Sequence, residues 1–123
     1  MLVTEMLKLA PTSEQADALL ATMRACNAAS NRVAEIAIEQ RTANKVRLQA
    51  LVYGELRETF GLSAQMAVRA IAKTCEAYKR DKTIKPTFRP LGAVQYDQRI
   101  LSWKGRDRVS ILTLTGRIEI PVL

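Results

Sequence analysis

The sequence predicts an α+β fold: a small antiparallel β-barrel or sheet, built from a first strand and a C-terminal meander, with a three-helix unit inserted between them. Three observations carry this reading. Residues 12–82 place apolar side chains at helical spacing, whereas from Thr83 onward the repeat changes to alternation with a period of two. Before Pro11, residues 3–9 (VTEMLKL) form one short alternating segment, and a lone strand is not stable without a sheet to join. The expected organisation is a sheet subdomain of residues 1–11 and 83–123 around a helical insertion of residues 12–82. The chain of 123 residues is long enough for one ordinary core.

Thr12, with Gln15 three residues later, reads as a capping box that opens a first helix running to about residue 41. Its expected apolar stripe is Ala16, Leu20, Met23, Ala34 and Ile38, with Leu19 and Ala37 at the edge. Asn27 falls in the middle of that stripe and Asn31 on its border. A carboxamide on a packed face needs partners, or its burial costs about 1–3 kcal/mol. Those partners are either protein groups, such as a loop carbonyl or a neighbouring helix, or the backbone and bases of a nucleic acid.

After a polar break at residues 42–45, a second helix runs to about residue 60 and carries Leu48, Val52, Leu56 and Phe60 in one row, with Leu51 beside it. Gly54 lies inside it at an intrinsic cost of about 1 kcal/mol against alanine, which suggests a close helix crossing. Gly61 stands where a left-handed C-cap is expected and Ser63 where the next N-cap is expected, so the second and third helices form a hairpin.

The third helix, within residues 62–82 (LSAQMAVRAIAKTCEAYKRDK), has two faces. At about 100° per residue, Ala67, Ala70, Ile71, Thr74 and Tyr78 fall on one side, and Gln65, Arg69, Lys73 and Arg80 within an arc of about 80° on the other. The corner before it invites a helix-turn-helix reading with this helix in a major groove. Equally, the basic stripe is a solvated face, and Glu76 shares its arc.

Short strands are expected around residues 87–89, 94–96, 100–103, 109–114 and 118–122. Pro86, Pro90, Gly92, the Lys104-Gly105-Arg106-Asp107 turn and a Thr115-Gly116 hairpin separate them.

The net charge of +7 is uneven: residues 1–82 hold 12 basic and 9 acidic side chains, and residues 83–123 hold 7 and 3. Such an excess favours a polyanionic partner, most simply RNA or DNA. The apolar start is short and interrupted by Glu5 and Lys8, so neither a signal peptide nor a membrane span is expected, and the location is expected to be cytoplasmic. The two cysteines, Cys26 and Cys75, read as reduced core residues. With no histidine and no Cys-x-x-Cys pair, neither a zinc site nor a nucleophilic triad is expected. Glycine-rich phosphate loops are missing from the sequence, the carboxylates form no obvious acid and base pair, and no cofactor or catalysis is expected.

The succession of a strand ending in Leu-x-Leu-x-Pro-Thr-x-x-Gln, then Cys26 and Asn31 in one helix, then LQALVYGELRETFGLSAQMAVRAIAKTCEAYKRDK, then FRPLGAVQYDQRILSWKGRDRVSILTLTGRIEIP resembles the amino-terminal part of TnpB proteins. These are transposon-encoded, RNA-guided DNA nucleases related to type V CRISPR effectors. The resemblance implies a wedge domain with an inserted recognition domain, which in that family hold a structured guide RNA and read a short motif on duplex DNA. It places Gln65, Arg69 and Lys73 near DNA, and Arg89, Arg99, Lys104 and Arg108 near RNA phosphates. The family often has an arginine after the helix-one cysteine and an aromatic before the asparagine, where this chain has Asn27 and Ser30. Family members continue into a RuvC-like nuclease domain, which residues 1–123 do not contain, so a non-catalytic module is expected.

The full set of candidate nucleic-acid contacts is Asn27, Asn31, Gln65, Arg69, Lys73, Arg80, Lys82, Lys85, Arg89, Arg99, Lys104 and Arg108. Two other readings belong to different classes. In one, the chain is an interaction fragment that docks onto a RuvC-bearing partner chain, and exposes apolar area on its last strand and on the amide-bearing face of helix one. In the other, it is a free-standing helix-turn-helix regulator.

Overall fold

The computed structural model describes residues 10–90, 101–104 and 108–121, with residues 101–104 described by their backbone. Among them the order is three helices, α1 (Ser13–Gln40), α2 (Lys45–Glu58) and α3 (Ala64–Arg80), then three strands, β1 (Leu101–Lys104), β2 (Arg108–Thr113) and β3 (Gly116–Pro121). The fold is α+β, as expected, and the C-terminal meander is antiparallel with β2 in the middle. The described sheet is open rather than a closed barrel; the expected first strand at residues 3–9 and the strand at 94–96 lie outside the described residues.

Each helix begins where a side chain can satisfy an orphan N–H. Thr12 Oγ1 accepts from Gln15 N (3.2 Å) while Gln15 Oε1 accepts from Thr12 N (2.9 Å), completing the capping box that starts α1. Asn44 Oδ1 caps α2 by accepting from Arg47 N, and Ser63 Oγ caps α3 by accepting from Met66 N. The entry to α1 is also fastened to β3: Ala10 N donates to Pro121 O at 2.8 Å, and Gln15 Nε2 to Glu119 O at 2.7 Å. Gly61 takes the positive φ (+68°) the sequence calls for, but two residues beyond the C-cap of α2, Thr59, which is right-handed (φ −80°, ψ −41°). At the end of α1 the same conformation falls on a non-glycine residue, Arg41 (φ 50°, ψ 47°).

The main core joins all three helices. The apolar face of α3 is as expected, with Ala67, Ala70, Ile71, Thr74 and Tyr78 buried, and Leu48, Val52 and Leu56 of α2 are buried with it. The face of α1 differs from the expected stripe. Ala34, Ala37 and Asn27 are buried, but Ala16, Leu20 and Met23 are only half-buried and Ile38 is exposed. The buried line runs instead through Thr22, Cys26, Ala29, Ser30, Val33 and Ala37. Small side chains let the backbones of α1 and α3 come close, so that Thr74 Oγ1 of α3 reaches Ser30 O of α1 at 3.2 Å. Close backbone approach, rather than the bulk of the apolar groups, therefore decides which side of α1 faces inward.

Three further expectations are corrected. Leu51, expected beside the apolar row of α2, is 50% exposed. Gly54 marks no crossing: a Cβ placed there would meet nothing within 4 Å, because it lies on the outer face of α2. The β2–β3 loop is Leu114-Thr115, with Thr113 paired to Gly116, so Gly116 begins β3, and it takes the positive φ (+128°) that Leu114 and Thr115 avoid.

A second, smaller core holds the sheet to the helices. Val109, Ile111 and Ile120 are buried with Leu19 and Ile118 packed against them, while Leu112 and Leu114 reach the helical core. Buried Thr22 ties the two together, donating to Ala18 O (2.7 Å) within its helix and accepting from Leu114 N (3.2 Å) at the tip of the hairpin.

Candidate nucleic-acid interface

Residues 87–89 are the clearest departure from the sequence reading: they form no strand. Pro86 and Pro90 lack backbone N–H groups and bias the residues before them, Lys85 and Arg89, toward extended conformations. The segment's partner is a side chain instead of a strand. Asn31 Oδ1 accepts from Phe88 N at 2.8 Å, and Asn31 Nδ2 donates to Phe88 O at 3.0 Å. Asn27 Nδ2 donates to Pro90 O at 3.2 Å and to Met23 O of its own helix at 3.0 Å. The two amides thus strap residues 88–90 across α1, so protein groups engage both of them.

Lys73 of α3 meets the same construction from the other side. Its Nζ lies 3.3 Å from Asn27 Oδ1, to which it donates, and 4.8 Å from the centroid of the Phe88 ring. A cation over an aromatic face gains about 0.5–1 kcal/mol or more as it loses water. Burial lowers the Lys73 pKa, which the nearby Cys26 partly offsets. The Cys26 thiol is itself pushed up to about 11 by burial, with Lys73 pulling the other way.

Arg69 and Lys73, with Cys26, Asn27, Ser30, Met66 and Ala70, line a cleft between α1 and α3. It leaves about 10 Å³ for the centres of water-sized molecules, room for one water and not for a base. Gln65, Arg69 and Lys73 are half-buried rather than a fully solvated stripe, while Arg80 and Glu76 are exposed.

The exposed cations gather elsewhere. From residue 79 to residue 89 the chain carries Lys79, Arg80, Lys82, Lys85 and Arg89 against one carboxylate, Asp81, and all six are exposed. Asp81 folds back on its own turn, accepting from Thr83 N and Thr83 Oγ1, and these hydrogen bonds hold its carboxyl below the usual range. Arg80, Lys82, Lys85 and Arg89 of the sequence-derived set thus lie exposed along one stretch of chain. Lys79 was missed; its signal was its place beside Arg80 in the last turn of a helix, where cations are favoured.

On the sheet, Arg108 is exposed with its Nη1 4.0 Å from Glu119 Oε2. The side chain of Lys104, in β1, and the whole of Arg99 lie outside what the structure describes. The surfaces expected of an interaction fragment are covered: Ile120 of β3 is buried, Ile118 is half-buried, and the amide-bearing part of α1 lies under residues 88–90. Among the described residues, large apolar side chains are exposed at Val46 (77%) and Leu51 of α2, at Ile84 (62%) and at Ile38 of α1.

Among the described residues, no three His, Cys, Asp or Glu side chains cluster as metal ligands, and no helix is long and apolar enough to cross a membrane. No family model, no curated protein and no solved structure matches this chain.

Proposed function

We propose that this chain is a non-catalytic, cytoplasmic nucleic-acid-binding module that holds structured RNA of the guide type, as its resemblance to the TnpB wedge and recognition domains implies. The observation that supports it best is the run of exposed cations from Lys79 to Arg89, five basic groups with one carboxylate among them. Clustered exposed cations gain binding free energy by releasing the counterions condensed on a phosphate backbone. Arg108 of the sheet is also exposed, with Glu119 beside it. Duplex DNA is a second ligand in this reading, met by Gln65, Arg69 and Lys73 of α3.

A structured RNA titrated by fluorescence anisotropy at low salt tests the proposal. It predicts binding that weakens steeply as salt is added; no binding even at low ionic strength removes it. Replacing Gln65 and Arg69 with alanine should lower duplex DNA affinity more than RNA affinity, whereas equal losses indicate a generic effect.

The reading as an interaction fragment for a RuvC-bearing chain has one observation in its favour, the exposed Val46 and Leu51 on α2. Self-association that Val46→Ser and Leu51→Ser abolish would favour it; a monomer at high concentration by light scattering would count against it.

A further inference from the structure

We propose that residues 85–89 form a ridge that tracks a single-stranded phosphodiester backbone, with Asn31 as the residue that positions it. This rests on the nucleic-acid reading above and names the site within it. Burial alternates along the segment: Lys85, Thr87 and Arg89 are exposed, while Pro86 and Phe88 are half-buried. Alternate residues of an extended chain lie about 6 to 7 Å apart, close to the spacing of successive phosphates on a stretched strand. Two cations thus stand at the ends of one row, each a charge-assisted donor, while the Thr87 hydroxyl between them donates to Lys85 O at 3.5 Å.

The row is held by groups that do not belong to it. Both backbone groups of Phe88 face Asn31, with N–H donating to Oδ1 at 2.8 Å and O accepting from Nδ2 at 3.0 Å. In an extended chain the backbone groups of the neighbours, Thr87 and Arg89, then point the opposite way, away from α1. Lys73 sits against the Phe88 ring and Asn27 holds Pro90 O, so the segment is anchored at consecutive inward positions while its outward side chains stay in water. A ligand that follows the ridge does not have to order it, and that entropy saving is the reason to build such a ridge on fixed amides. Lys73 lies over the ring of half-buried Phe88, on the inward side of the row, so the outward groups offered to the ligand are the cations. The ridge therefore binds by charge, without base preference and with strong salt dependence.

The test uses the full chain and labelled oligouridylate, oligothymidylate and a duplex of equal length, with affinity measured across a salt series. Lys85→Gln with Arg89→Gln removes two contacts and should reduce the salt slope for both single strands by about 1.4, at about 0.7 per contact. A control pair on α2, Lys45→Gln with Arg57→Gln, removes the same charge and should leave the slope nearly unchanged. Asn31→Ala, which changes no charge, should also reduce the slope, and the exposed-residue pair keeps the test valid should Asn31→Ala fail to fold. If the unsubstituted chain binds but the ridge pair and the control pair lose equally, the ridge is overturned and the nucleic-acid reading stands. A ridge pair that lowers duplex binding as much as single-strand binding overturns the single-strand assignment. Equal losses on the two single strands indicate a shared phosphodiester contact, and a loss confined to oligouridylate makes RNA the ligand. Absence of any binding of these ligands by the unsubstituted chain overturns the ridge, and absence of binding to the structured RNA as well overturns both readings.

Discussion

The carboxamide of Asn31 pairs with Phe88 as a neighbouring strand would, accepting from its N–H at 2.8 Å and donating to its carbonyl at 3.0 Å across 57 residues of sequence. One side chain thereby replaces the β-ladder that residues 87–89 lack. Asn31→Ala should cost about 1–3 kcal/mol, since it leaves two backbone groups of a half-buried residue without their partner. It should also abolish hydrogen-exchange protection at the Phe88 amide. Unchanged protection in a folded variant would show that the amide is not the clamp.

Two positive-φ residues, one at the end of α1 and one between α2 and α3, predict opposite effects of glycine. Gly61 (φ +68°) should not tolerate a side chain: Gly61→Ala is expected to destabilise by about 1–2 kcal/mol, although nothing crowds the position. At Arg41 (φ 50°) the strain is already present, and Arg41→Gly should stabilise by up to about 1 kcal/mol. Urea midpoints at constant m-value check both.

The Cys26 thiol predicts a loss of stability at alkaline pH. Its value is 9.0 unperturbed and about 11 in the folded chain. Below pH 9.0 both states keep the proton; between 9.0 and about 11 the unfolded chain loses it while the folded chain retains it, so stability falls as pH rises. The full effect is about 2–3 kcal/mol. Cys75, also raised by burial, acts in the same direction, whereas Lys73, lowered by burial, acts in the opposite one. The difference between the unsubstituted chain and Cys26→Ala isolates the thiol: Cys26→Ala should lose less stability across that window. Parallel curves would refute the assignment.

Arg32 links α1 to α2, with Nε 2.7 Å from Glu55 Oε2 and Nη1 2.9 Å from Glu35 Oε2. Both carboxylates hold its guanidinium charged, Glu55 most strongly. The groups are about a third to a half exposed, so the network is worth little: Glu55→Gln should cost about 0.5–1 kcal/mol, and less at high salt. A larger loss that salt does not reduce would indicate packing rather than charge.

Local rules made much of the fold legible. The Thr12–Gln15 capping box, the Gly61–Ser63 corner and the inward face of α3 depend on residues within a turn of one another, and each stands where the sequence places it. The inward face of α1 was not legible from hydropathy. It packs through Ala29, Ser30 and Val33, whose smallness matters more than their apolarity, and through Thr22, whose hydroxyl has its partner at Leu114. Asn27 and Asn31 were visible as anomalies, but the sequence left open whether protein or ligand met them. Their partners lie 63 and 57 residues away on a segment whose composition reads as a strand. Lys73 shows the same limit: by angle it belongs to the basic arc, and only the packing of α1 and Phe88 turns it into a half-buried contact.

The central claim is that the exposed cations from Lys79 to Arg89 bind phosphates, and the salt dependence of RNA affinity tests it most directly. With all five engaged, log Kobs against log salt should fall with a slope of about −3 to −4, and Lys79→Gln, Arg80→Gln and Lys82→Gln together should bring it to about −1.4, at about 0.7 for each of the two contacts left. A slope near zero, or one that the triple substitution leaves unchanged, would contradict the account.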